Sequence, residues 1–170
     1  MNLTGMLNQN TGPRPSEVLL MKMRLRYPET LEYTARSSWD GLTGCTAYVT
    51  ANRKVVIDTP PTYGGRGDGI CPDELFVSSV LGCLNNTFLD FQRRFEMELV
   101  SLDLTGKAKA KFDGSGYKVV GISVWGEIIV GKDELETGER CLHLMKEFCH
   151  LTRTISGCIP IDYDISVREE

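Results

Sequence analysis

The sequence has no apolar run approaching 18 residues, so no membrane-spanning helix is expected. Its opening stretch, MNLTGMLNQNTGPRPSEV, lacks the apolar core that secretory signals carry, and an export signal is not expected either. Lys and Arg are not clustered, and the net charge is −4. Phosphate binding draws on basic patches, so neither nucleic acid nor an anionic membrane is an expected partner. Gly64–Gly69 contains no G-x-G-x-x-G and leads to no Lys-Ser/Thr, which argues against a phosphate loop. There is no Cys-x-x-Cys, which argues against a thioredoxin-type motif and a zinc ribbon alike.

What is present describes an ordinary folded chain. Its 170 residues are 41% hydrophobic and 25% charged, the usage of a globular domain. A chain of this length buries about 70% of the surface it exposes when unfolded, enough for one core. Six cysteines occur without an export signal, which points to the cytoplasm and to free thiols.

Residues 1–16 carry little hydrophobic pattern and read as a loose tail, leaving 17–170 as a single domain. The runs EVLLMKMRLR, LEYTARSSW and CTAYVTA read as strands, with turn signals between them, and Lys54–Ile57 reads as a strand paired with the last. TPPTYGGRGDGIC holds two prolines and four glycines and is expected to be irregular. A helix is expected from Pro72, a residue suited to a first helical position, with Asp73 and Glu74 complementing the dipole of its first turn. Val77–Leu84 carries no charge, which predicts a helix buried nearly all round.

Two long strands follow, near Glu98–Phe112 and Tyr117–Val130, around the hairpin signal Asp113-Gly114. A second helix is expected from about Asp133 through CLHLMKEFCHLTRTI, and a clean alternation over Ile159–Val167 predicts a closing strand. HLTRTISG is able to start a new helical turn, which would leave Cys149 at a bend. The fold class is α+β, mainly antiparallel sheets with two long central helices.

Cys83 and Cys149 lie on those two helices, and packing of the helices would let the thiols meet. Such a pair supports two-electron redox chemistry, in which one thiolate becomes a sulfenic acid and the second condenses with it to a disulfide. The attacking thiolate needs a cation, for which Arg36 and Arg66 are candidates, and the cation needs a carboxylate, for which Asp73 and Glu74 are candidates. His150, beside Cys149, is also a group that lowers a thiol pKa when protonated.

The arrangement GGRGDGICPDELFVSSVLGC, a β-hairpin, then LHLMKEFCHLTRTISGCIPIDYDISV resembles the OsmC/Ohr family of thiol-dependent hydroperoxide reductases. Pro72, Asp73, Leu75, Cys83 and Cys149 match the family pattern in order and spacing, and the likeness spans roughly residues 30–168. The resemblance implies an intertwined homodimer that reduces organic hydroperoxides, lipid ones among them. It implies Cys83 as peroxidatic and Cys149 as resolving cysteine, a dithiol reductant such as a lipoyl protein, and no metal or other cofactor. Leu75, Phe76 and Phe88 are the expected pocket lining. SSWDGLTG, the stretch best aligned with the family's activating Arg, holds no Arg, and His150 stands where Pro often follows the second Cys. These departures keep a second reading open: an apolar-ligand-binding or redox-sensing protein on the same fold.

Simpler readings cover the remaining motifs. Cys45 and Cys158 are expected in or beside strands and Cys71 at the border of the first helix, all as structural residues, with Cys71 the one exception able to adjoin the active-site loop. Cys141, His143, Cys149 and His150 are donor types for zinc, but positions 141 and 149 are about 12 Å apart along a helix, too far for one tetrahedral ion. Arg66-Gly67-Asp68 and the sequon Asn85-Asn86-Thr87 are chance matches in a chain with no expected export.

Overall fold

The computed structural model describes residues 28–50 and 52–170. The expected tail over 1–16, the strand over 17–26 and the boundary between them lie outside the described residues. The chain divides into two compact units, Met1–Thr34 and Ala35–Glu170. The described part of the first, residues 28–34, forms no helix or strand.

Three short strands open it: β1 (Arg36–Trp39), β2 (Gly44–Tyr48) and β3 (Lys54–Asp58), an antiparallel sheet in that order. The loop that follows is largely irregular, as its prolines and glycines dictate, but contains one 3-10 turn at Pro61–Tyr63 and returns to pair Ile70 with Ile57. Buried Asp58 organises it. Its carboxylate accepts from the Thr43 hydroxyl at 2.8 Å, the Thr59 N–H at 2.8 Å and the Asp68 N–H at 3.0 Å. Four partners of one carboxylate thus tie β3, the loop and the β1–β2 turn together, since Arg66 Nη2 also stands 3.9 Å away.

Helix α1 (Pro72–Phe95) begins at the expected proline, with Glu74 Oε2 accepting the Cys71 N–H at 3.2 Å. Val80, Leu84, Phe88 and Phe91 recur at helical spacing and are buried. Each such side chain contributes about 1.5–3 kcal/mol by leaving water. Within one chain the helix is not covered all round: Ser78, Ser79, Gly82 and Asn86 are exposed. The lack of charge there reflects something other than burial inside this chain.

Strands β4 (Leu99–Phe112) and β5 (Tyr117–Val130) form the expected hairpin. Asp113 Oδ1 accepts the N–H groups of Ser115 and Gly116, and Gly114 takes a φ of 101°, open to glycine without strain. Gly106 lets α1 lie close on β4: a Cβ there would stand 2.9 Å from Val77 and 3.1 Å from Leu81. The core face of β5 is Ile122, Val124, Ile128 and Val130.

Helix α2 (Leu135–Phe148) and the short α3 (His150–Ile155) then lead to β6 (Ile161–Glu169). The sheet order is β4-β5-β6, and β6 runs parallel to β5 rather than antiparallel. Parallel neighbours require a long crossover, which α2 and α3 supply. The expected second helix is therefore two helices. Cys149 sits between them with extended backbone, φ −61° and ψ 112°. No helix among the described residues is long and apolar enough to cross a membrane.

Candidate active site

The break at Cys149 turns its side chain toward α1. The thiol of Cys149 donates to the sulfur of Cys83 at 3.1 Å. Both cysteines are free thiols. Cys149 is wholly buried, whereas Cys83 retains 8% exposure. The bend is fixed from both sides: the Cys149 N–H donates to Met145 O at the end of α2, and its carbonyl accepts from Arg153 N–H and the Thr152 hydroxyl. Thr152 is itself buried.

The first residue of α3 completes the group. His150 is exposed, and its Nδ1 lies 3.4 Å from Cys83 Sγ, with Nε2 at 3.9 Å. Burial pushes the Cys83 thiol up, and Cys149 adds to this, whereas a hydrogen bond from the Leu151 N–H and another from Thr87 oppose it. Thr87 also donates to the Cys83 carbonyl at 2.8 Å. Cys83 is therefore a thiol in an apolar wall with hydrogen-bond donors on one side.

The other expected site residues are placed elsewhere. Arg66 is held by Asp40 and Asp68, each at 2.6 Å. Its hydrogen bonds to these two carboxylates raise its already high pKa further. Arg36 lies over the Tyr48 ring, its cross-strand partner, at 4.4 Å. Among the described residues, the groups hydrogen-bonded to Cys83 Sγ are Cys149, His150, Thr87 and Leu151, and no arginine is one of them. Asp73 and Glu74 sit at the start of α1, about 15 Å along the helix axis from Cys83 at 1.5 Å per residue. Asp73 Oδ2 there faces Cys71 Sγ at 3.8 Å.

Of the apolar residues, Phe76 is half-buried two turns before Cys83 on the same face, and Leu75 is half-buried beside it. Phe88 is fully buried in the core. A separate open cavity of about 520 Å³ lies between α1 and β4, lined by Asp73, Val77, Leu81, Gly106 and Lys107. It opens on the side of α1 away from Cys83 by helical spacing.

The remaining cysteines have separate environments. Cys141 is buried, and burial pushes its thiol up to about 11. Cys45 lies in β2, Cys71 precedes α1 and Cys158 is exposed between α3 and β6. His143, the second histidine, is exposed on α2 and faces Glu147 at 3.6 Å.

A two-layer α+β unit with paired thiols between its helices agrees with the comparisons. The family model of OsmC-like proteins matches residues 65–164. The chain belongs to this OsmC-like family. Its fold is similar to that of an OsmC-like protein from Mycoplasma pneumoniae, with a TM-score of 0.70 at 14% identity, covering 81% of this chain and 97% of that one. It is similar as well to an organic hydroperoxide resistance protein OsmC from Legionella pneumophila, with a TM-score of 0.63 at 15% identity over 82% of this chain and 100% of that one. An organic hydroperoxide resistance protein from Elizabethkingia anophelis gives a TM-score of 0.64 at 15% identity over 83% and 100% of the two chains. No curated protein matches the sequence.

The His150 contact was not fully legible in the sequence. Its adjacency to Cys149 drew attention to that cysteine, but the bend directs the imidazole to Cys83 instead.

Proposed function

We propose that this protein is a thiol-dependent peroxidase that reduces organic hydroperoxides to alcohols. The observation that carries the reading is the 3.1 Å approach of two free thiols, one with 8% of its surface exposed and one wholly buried behind it. Cys83, the more accessible, is the attacking residue. Its thiolate attacks the terminal peroxide oxygen and keeps it as a sulfenic acid, and the O–O bond breaks to release an alkoxide that is protonated to the alcohol. Cys149 then condenses with the sulfenic acid, releasing water and forming the Cys83–Cys149 disulfide. A disulfide needs its sulfurs about 2.05 Å apart, so roughly 1 Å of movement closes the bond. A dithiol, such as a lipoyl group on a partner protein, returns both thiols by exchange. Leu75 and Phe76, on the approach to Cys83, suit an apolar substituent on the peroxide.

The working form in this reading is a homodimer in the cytoplasm. Trp39, Leu42, Val56, Tyr63 and Ile70 are all exposed on or beside the small sheet, an apolar surface unusual for a lone chain. The uncharged exposed face of α1 suits the same covering. A second reading, binding or sensing with slow turnover, is favoured by one observation: Arg36 and Arg66 already have partners away from Cys83.

The experiment is intact mass and disulfide mapping after one equivalent of cumene hydroperoxide. A rapid loss of two hydrogens, mapped to Cys83–Cys149, supports the peroxidase. An unchanged mass or slow, scattered oxidation of the six cysteines overturns it.

A further inference from the structure

We infer that His150 is the acid–base residue of this site, taking the proton from Cys83 and returning it to the leaving group. This deepens the peroxidase reading and rests on it for the second step, though not for the first. Three observations converge. His150 Nδ1 is 3.4 Å from Cys83 Sγ, and His150 is exposed, so it is open both to the thiol and to solvent. The two arginines suggested by sequence are engaged with Tyr48 and with three aspartates. Cys83 sits where burial opposes ionisation, so a thiolate there needs a nearby proton acceptor. Imidazole is the side chain whose ordinary titration spans pH 5–8, able to accept and donate within one cycle.

The cycle balances as follows. The Cys83 thiol gives its proton to His150, leaving a thiolate beside an imidazolium. The thiolate attacks the terminal oxygen of R–O–O–H, and that oxygen keeps its hydrogen. The S–O bond forms as the O–O bond breaks, sulfur loses two electrons, and RO⁻ departs. The imidazolium protonates RO⁻ to the alcohol and is neutral again. The sulfenic acid then condenses with the Cys149 thiol, and water leaves.

The groups around the pair come from every element packed on it. Cys83 and Thr87 belong to α1, Cys149 to the bend, His150, Leu151 and Thr152 to α3, and Tyr163 to β6. Tyr163 is pushed up by burial and stays neutral throughout pH 5–8.

The test is the pH profile of iodoacetamide alkylation at Cys83 in reduced protein, read by peptide mass, for wild type, His150→Asn and the control His143→Asn. Wild type and the control are expected to show a reactive shoulder below pH 8. His150→Asn is expected to lose it, with the rate at pH 6.5 falling about 100-fold, the lower end of the usual worth of a positioned acid–base group. His150→Ala is expected to regain part of that rate with added imidazole, which a purely structural role would not allow. Coincident profiles for wild type and His150→Asn, or no response to imidazole, overturn the proposal. Cumene hydroperoxide consumption, measured alongside, separates the two readings. If the profile shifts but no variant consumes peroxide, the proton-acceptor role stands and the donor role falls with the peroxidase. If peroxide is consumed equally by wild type and His150→Asn, the histidine proposal falls alone.

Discussion

The thiol of Cys149 lies 3.1 Å from that of Cys83 across 66 positions of sequence. The contact joins the middle of one helix to a break between two others. The two thiols differ in access, because Cys83 alone keeps some exposure. In the proposed peroxidase, a peroxide meets Cys83 first, and Cys149 waits one short movement behind it.

Separating the two roles is direct. Cys83→Ser is expected to abolish reaction with cumene hydroperoxide. Cys149→Ser is expected to react once and stop, holding one added oxygen that dimedone traps at Cys83. Peptide mass after a single equivalent checks both. Trapping at Cys149 in the Cys83→Ser protein would reverse the assignment.

Cysteine reactivity should follow environment in the native protein. Cys141 is buried with its thiol pushed up to about 11, so almost no thiolate forms at pH 8. Cys158 is exposed. Timed iodoacetamide labelling at pH 8 is expected to modify Cys158 within minutes and to spare Cys141 until the chain is unfolded.

The bend that carries Cys149 depends on Thr152. Its hydroxyl donates to the Cys149 carbonyl at 3.1 Å and is paired with Tyr163. Thr152→Val keeps the shape and removes these bonds. Leaving such buried groups unpaired costs about 1–3 kcal/mol. Urea unfolding measures the loss, and disulfide formation after peroxide is expected to slow as the bend loosens.

The core has a different sensitivity. Phe88 is fully buried between α1 and its neighbours. Phe88→Ala is expected to cost about 3–5 kcal/mol, by lost transfer energy and the cavity left behind. Urea unfolding checks it, and a drop under 1 kcal/mol would show that Phe88 is not a core residue.

Acid should act on the loop before α1. Burial pushes the Asp58 carboxyl up, but Thr43, the Asp68 and Thr59 N–H groups and Arg66 outweigh this and hold it below its ordinary value. Asp40 is lowered as well, chiefly by its hydrogen bond from Arg66. A depressed carboxylate contributes stability above its unfolded pKa, and the contribution fades as pH falls through the folded value. The loop is expected to hold at pH 5 and above, and to open progressively below about pH 4. Limited proteolysis between residues 59 and 70 against pH measures this, and Asp58→Asn is expected to be cut already at neutral pH.

Much of this protein is determined by local sequence. Pro72 with two acidic residues after it favours a helix start, because the missing N–H is an orphan there and the charges meet the dipole. Asp113-Gly114 closes a hairpin because the aspartate accepts the turn's own N–H groups and glycine tolerates positive φ. The alternations of β5 and β6 mark their core faces. The cysteine pair was legible as two thiols on two helices.

Other features exist only in the folded chain. Period-2 alternation is the same in parallel and antiparallel strands, so the direction of β6 follows from the crossover over the sheet. The sequence allowed a new helical turn after Cys149 and hence a bend there, but only the folded chain shows the extended backbone that aims its thiol at α1. Which sulfur His150 meets depends on that turn, since adjacent positions in a chain do not face the same way once a helix ends. The partners of Arg66 come from Asp40, Asp58 and Asp68, a set assembled from a turn, a strand and a loop. Sequence determined which groups are available for chemistry, and tertiary packing decided which of them stand within reach of Cys83.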